Sequence, residues 1–127
     1  MSGGKAPVRP VVVVRSAAAG PVEDAVLAGI EEEGVPYLVE RDAGPDGPGC
    51  AAAVDLARVA AHRSPLGVGV GIDAAGGVCV QPEKVSDPIT DLTAAPADGP
   101  ARARLLGHDA ARICVGLPLK GAGPPDR

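Results

Sequence analysis

Aromatic residues are almost missing from this chain of 127 residues: Tyr37 stands alone, with no Phe and no Trp. Nucleic-acid bases therefore have almost nothing to stack on. The apolar content, 46% of the chain, has to be Val, Leu, Ile and Ala, which favours flat strands covered by Ala-rich helices. An excess of basic residues is missing too. Twelve Lys and Arg face 16 Asp and Glu for a net charge of −4, and a mildly acidic surface attracts neither nucleic acid nor an anionic membrane. Long apolar runs are absent. Residues 11–14 fall far short of the roughly 20 that span a bilayer, and no signal-peptide pattern follows Met1. Cys50, Cys79 and Cys114 are odd in number and include no Cys-x-x-Cys, so buried free thiols in a reducing cytoplasm are expected. Neither a Walker-type Gly-Lys-Ser/Thr nor a Gly-x-Ser-x-Gly occurs, and no acid–base pair stands out. The expectation is a protein that is not an enzyme and works by docking.

What is present reads as one domain over residues 1–127, with an ordered core from about 8 to 119 and flexible tails at 1–7 and 120–127. A chain of this size buries roughly two-thirds of its unfolded surface, enough for one core without staples. Residues 10–15 form a β-branched run, the mark of a strand buried on both faces. A helix follows, with Pro21 at its first position, Glu23 and Asp24 in its first turn, a Val22/Val26/Ile30 stripe and Gly34 as its stop. Residues 36–40 read as a second strand, 43–49 as a Gly/Pro loop, 50–62 as an Ala-rich helix and 66–72 as a third strand. A turn at 73–77 leads into a fourth strand at 78–81, which must be antiparallel because the turn is so short. A fifth strand is placed at 88–92 and a last helix at 101–115, with Leu106, Ala110 and Ile113 on one face. This order predicts a three-layer α/β/α sandwich with a mixed, mostly parallel five-stranded sheet having one antiparallel strand.

Several features invite a functional reading. Gly67, Gly69 and Gly71 suggest a phosphate cradle, yet the dinucleotide fingerprint needs its glycines after the strand, opening a helix. Here they lie within the strand, so close helix packing is the expectation. His62 and His108 sit beside charged residues and read as solvated or capping groups; Cys79 and Cys114 fall on core registers. Glu31, Glu32 and Glu33 are different. A charge run is usually a solvated helix face, but this one occupies a C-terminal turn, where the dipole disfavours each carboxylate by about 0.3–1 kcal/mol. The apolar stripe leaves Glu32 pointing most nearly away from the core, where it gains nothing in the free chain. Such a local penalty points to an external cation or a basic partner surface. Hard divalent ions take carboxylate oxygens, and one exposed Glu cannot form a site alone. A metal there would be shared between subunits.

Three segments carry a resemblance. Ala28-Gly-Ile-Glu-Glu-Glu-Gly-Val-Pro-Tyr37, His62-Arg-Ser-Pro-Leu-Gly-Val-Gly-Val-Gly-Ile-Asp73 and Gly107-His-Asp-Ala-Ala-Arg-Ile-Cys-Val-Gly-Leu-Pro118 resemble, in order, conserved blocks of the small subunit of diol and glycerol dehydratase reactivases. The Glu-rich block is the most specific. Asp109 stands where that family carries Asn, and Val115 where it carries Lys. The resemblance implies an α/β/α fold similar to the dehydratase medium subunit, and a large, actin-like ATPase subunit as partner. It implies a chaperone-like role in releasing damaged cobalamin from an inactivated adenosylcobalamin-dependent dehydratase complex, by exchange with the dehydratase medium subunit. It also implies that Glu32 completes a magnesium site whose other ligands belong to the large subunit, and that the isolated chain binds no cofactor. Alone, a domain with an open docking surface is expected to form a homodimer. Two alternatives stand beside it: a dehydratase medium subunit, which shares the fold, and, from another class, a small nucleotide- or metabolite-binding regulatory protein.

Overall fold

The computed structural model describes residues 11–42 and 52–117. Cys50, the loop at 43–49, both tails and the chain beyond Leu117 lie outside the described residues. The elements run β1 (Val12–Ser16), α1 (Pro21–Glu32), β2 (Tyr37–Arg41), α2 (Ala53–Arg63), β3 (Val68–Ile72), β4 (Val78–Pro82), β5 (Thr93–Ala94) and α3 (Gly99–Val115), with 3-10 turns at Thr90–Leu92 and Pro96–Asp98.

The sheet has five strands in the order β2-β1-β3-β4-β5. β1 pairs in parallel with β2 and β3, whereas β4 runs antiparallel to β3 and β5. One strand is therefore reversed, as expected. The first crossover moves outward from β1 to β2, and the second returns across β1 to β3. Both crossovers prefer the same right-handed sense, so their helices fall on opposite faces. α2 covers one face alone, and α1 and α3 cover the other.

Strand parity sorts the side chains between these layers. Val12, Val14, Val68, Val70, Ile72, Val78 and Val80 enter the core shared with Val26, Ile30, Leu106 and Ala110. The opposite face presents Gly69 and Gly71 to α2. A Cβ at Gly69 would lie 2.2 Å from the Ala61 nitrogen, and one at Gly71 2.0 Å from the Ala53 carbonyl oxygen. The glycines of β3 thus let the α2 backbone rest on the sheet. α1 and α3 meet in the same way. A Cβ at Gly29 would lie 2.2 Å from the Arg104 carbonyl oxygen, and one at Gly107 2.2 Å from that of Val26.

Several boundaries differ from the sequence reading, among them the start of α2, at Ala53 where residue 50 was expected. β3 begins at Val68 rather than residue 66, because Gly67 takes a left-handed φ of +73° and Leu66 is left exposed. Residues 88–92 are not the fifth strand. A 3-10 turn there buries Leu92 in the core, and β5 follows, pairing Val78 with Ala94 and Cys79 with Thr93. α3 starts two residues early, at Gly99. The short β3–β4 connection is held by the Asp73 carboxylate, which accepts from the backbone nitrogens of Ala75 (3.0 Å) and Gly77 (2.8 Å).

Candidate functional site

α1 ends on its acidic triplet, and Gly34, with φ +76°, turns the chain away. The backbone contact at Gly29 and Gly107 brings that end against α3. α3 in turn presents Arg104, His108 and Arg112 at a spacing of four residues, a stripe along one side of a helix. Each glutamate finds partners outside α1. Glu31 accepts from the Tyr37 hydroxyl at 2.9 Å, which holds the phenol above its usual pKa because ionised Tyr37 would face that carboxylate. Glu32 takes Arg104 on both carboxylate oxygens, Nε lying 3.1 Å from Oε1, and has His108 Nε2 at 2.7 Å from Oε1. Glu33 has His108 Nδ1 at 2.6 Å and accepts from Arg112 Nε at 3.0 Å. Those contacts, His108 first, hold the Glu33 carboxyl below its ordinary pKa although burial opposes them.

Two expectations are corrected here. Glu32 does not point away unpartnered. It lies along α3, so the unfavourable dipole end of α1 is offset by cations from another helix. His108 is neither solvated nor a cap: it is buried inside α3 and bridges Glu32 and Glu33 with its two ring nitrogens. His62 does remain exposed, with Nδ1 at 2.8 Å from Glu83. The basic stripe on α3 was legible as a four-residue repeat, but nothing in the sequence said which helix it faces. Glu33 is nine-tenths buried and lies at the core edge.

The other candidates resolve as packing. Cys79 and Cys114 are buried free thiols, and burial pushes Cys79 up to about 11. The crevice at the C-terminal ends of β1 and β3, where strand order switches, is the usual ligand position in such sheets. It is lined by Ala18, Ala19, Pro21 and Gly76 with the carboxylates of Glu23 and Asp73. Glu23 is itself buried and taken by both Arg41 guanidinium nitrogens, one at 3.0 Å. This pair was missed, since Glu23 reads as a helix-dipole residue although it lies one turn before Val26 on the buried side. Glu23 and Asp73 in this crevice would repel a phosphate, and Gly69 and Gly71 of β3 are taken up by packing against α2. Among the described residues, no group of three or more His, Cys, Asp or Glu side chains is arranged to hold a metal ion. No described helix is long and apolar enough to cross a membrane.

The molecule is thus an α/β/α domain with a charged seam where the end of α1 lies against the side of α3. Residues 7–120 match the model of the dehydratase medium subunit family. The chain belongs to that family. It is 33% identical over 111 residues to the propanediol dehydratase-reactivating factor small subunit of Citrobacter freundii, covering 87% of this chain and 89% of that protein. Among solved structures it is similar to a diol dehydratase-reactivating factor complexed with ADP and Mg2+, with a TM-score of 0.71 and 28% identity over 91% of this chain and 99% of that one. A glycerol dehydratase reactivase gives a TM-score of 0.68 and 25% identity, over 90% and 97%. The reactivase resemblance read from the three sequence blocks is the one these comparisons find.

Proposed function

We propose that this chain is the non-catalytic small subunit of a reactivating factor for an adenosylcobalamin-dependent diol or glycerol dehydratase. It pairs with a large ATPase subunit in the cytoplasm. It then leaves that subunit so that the dehydratase medium subunit takes its place and damaged cobalamin is released. The observation that carries this reading is the likeness over nearly the whole length of both chains to a reactivating-factor small subunit. The charged seam at the end of α1 supplies a docking surface consistent with it.

The metal that this reading includes would need Arg104 to give up Glu32, whose two oxygens it occupies in the free chain. Glu32 offers a hard oxygen donor whose side chain is 37% exposed, at the end of its helix, and further ligands must come from another chain. Magnesium there would supply a positive charge binding both subunits to one point. The chain's own part is to hold the Glu32 carboxylate on the rim of the α1–α3 seam, with His108 against Oε1.

The test is reactivation of a glycerol-inactivated dehydratase by the large subunit, ATP and magnesium, with and without this chain. Restored turnover only when this chain is added is expected; equal reactivation without it would refute the role. The family's description also favours a second reading, a dehydratase medium subunit that helps hold coenzyme. Tight binding in a spectroscopic cobalamin titration would select that reading instead.

A further inference from the structure

The three acids at the end of α1 are not held alike. Glu33 sits in a nearly closed setting: its side chain is 11% exposed, that of His108 7% and that of Arg112 26%. Glu32 is held from the outside, by an Arg104 side chain that is 53% exposed. Both oxygens of Glu32 are occupied, Oε1 by Arg104 Nε and His108 Nε2, and Oε2 by a second Arg104 nitrogen. A two-pronged guanidinium fills the in-plane lone pairs that a cation would use. Magnesium demands near-octahedral ligands at short range, and a guanidinium left beside it would be repelled. His108 can keep Oε1, since it is buried and fixed from its other side by Glu33. Arg104, long and half in solvent, is the partner able to leave.

We infer that Arg104 is a positioning residue that competes with the interfacial divalent cation for Glu32. This inference rests on the reading of Glu32 as a metal ligand. In the free chain Arg104 covers the carboxylate and keeps divalent ions off the domain. On docking, the cation takes Oε2 and the guanidinium swings away, while the Glu33–His108–Arg112 group holds the base of the seam. The competition sets how much metal docking needs. It also keeps docking reversible, because Arg104 is ready to recapture Glu32 when the subunit departs, as subunit exchange requires.

Two measurements separate this from the reading beneath it. In the free chain, Mn2+ serves as a paramagnetic probe, and broadening of the amide signals of Glu31, Glu32, Glu33 and Gly34 is followed by NMR. Arg104→Met keeps the aliphatic stem and removes the charge. Half-maximal broadening is expected at roughly two- to fivefold lower Mn2+ than in the parent, the range that an exposed ion pair is worth. Arg104→Lys should fall between them, and Glu32→Gln should abolish the broadening in either background. Broadening of Arg104→Met at the same or higher Mn2+ than the parent, or none that depends on Glu32, overturns the inference. Arg104→Lys serves alone, with the same criterion, if the Met variant loses its native spectrum. The second measurement is calorimetric binding to the large subunit across a magnesium series. Arg104→Met should reach half-maximal affinity at lower magnesium than the parent, and an unchanged or raised requirement again overturns the competition. If Glu32→Gln leaves magnesium dependence untouched, the interfacial-ligand reading itself fails, whatever Arg104 does in the free chain.

Discussion

At the scale of single residues, charged side chains in this domain settle where another element supplies a counter-charge, even when their own helix disfavours them. Glu32 is the plainest case. Its position at the end of α1 argues that removing its charge would leave stability unchanged or slightly raise it, but Arg104 and His108 reverse that sign. Glu32→Gln should lower the stability of the free domain by about 0–1 kcal/mol, small because the pair is exposed and screened. Denaturant unfolding of both proteins measures it. A loss well beyond that range would mean that the seam holds the fold together, not merely the docking surface. Glu23 makes a prediction against pH. The Arg41 guanidinium, set against partial burial, holds its carboxyl below the usual value of 4.5. As pH falls below that value the unfolded chain takes up this proton first, so unfolding is favoured. Its contribution is therefore complete above pH 4.5 and lost as pH drops through the depressed folded value. Stability measured across that window should decline in the parent and flatten in Arg41→Met, which removes the cause of the shift.

At the scale of elements, glycine contacts decide how closely the layers approach, and the site depends on one of them. Gly29 lies two residues before the acidic triplet and has no room for a side chain against the Arg104 carbonyl. Gly29→Ala or Gly107→Ala must push α1 away from α3. Each should destabilise the domain by about 1–3 kcal/mol and weaken docking as well, because Glu32 and Arg104 would no longer meet. Gly69→Ala on the other face should cost a similar amount of stability yet leave magnesium-dependent docking of the folded fraction intact. Unfolding curves beside binding isotherms for the three variants separate packing from function. The shared α1–α3 contact also explains why the first block reads Gly-Ile-Glu-Glu-Glu: the small residue and the acids belong to one arrangement.

At the scale of the whole molecule, the proposed role assigns ATP hydrolysis to the large subunit. The purified chain should show no ATP turnover of its own, with ATPase activity following the large subunit. Turnover abolished by mutating this chain's residues would overturn that expectation. Alone, the open seam should favour self-association, and sedimentation over a wide concentration range should reveal a homodimer; a strict monomer throughout would count against it. Cys79, buried and with its thiol pushed up to about 11, should resist alkylation in the native domain and react once it unfolds.

The sequence by itself determined the layer order and the approximate place of every α-helix and of the first four strands. β-Branched runs, the helix starting at Pro21 and the short turn after β3 are local signals, carried by neighbours along the chain. It also singled out Glu32, because a carboxylate at a helix C-terminus is an anomaly visible without coordinates. The late boundaries were less legible. Leu92 alternates between strand and plug with equal local plausibility, and only the empty core position under β4 assigned it to a 3-10 turn. What only the tertiary structure decided is who answers whom: Arg104, His108 and Arg112 on the acids, Arg41 on Glu23, and the α2 backbone on the glycines of β3. Charge and packing partners lie up to 79 residues apart in the chain, and side chains that distant meet only after the crossovers have stacked their helices on the sheet.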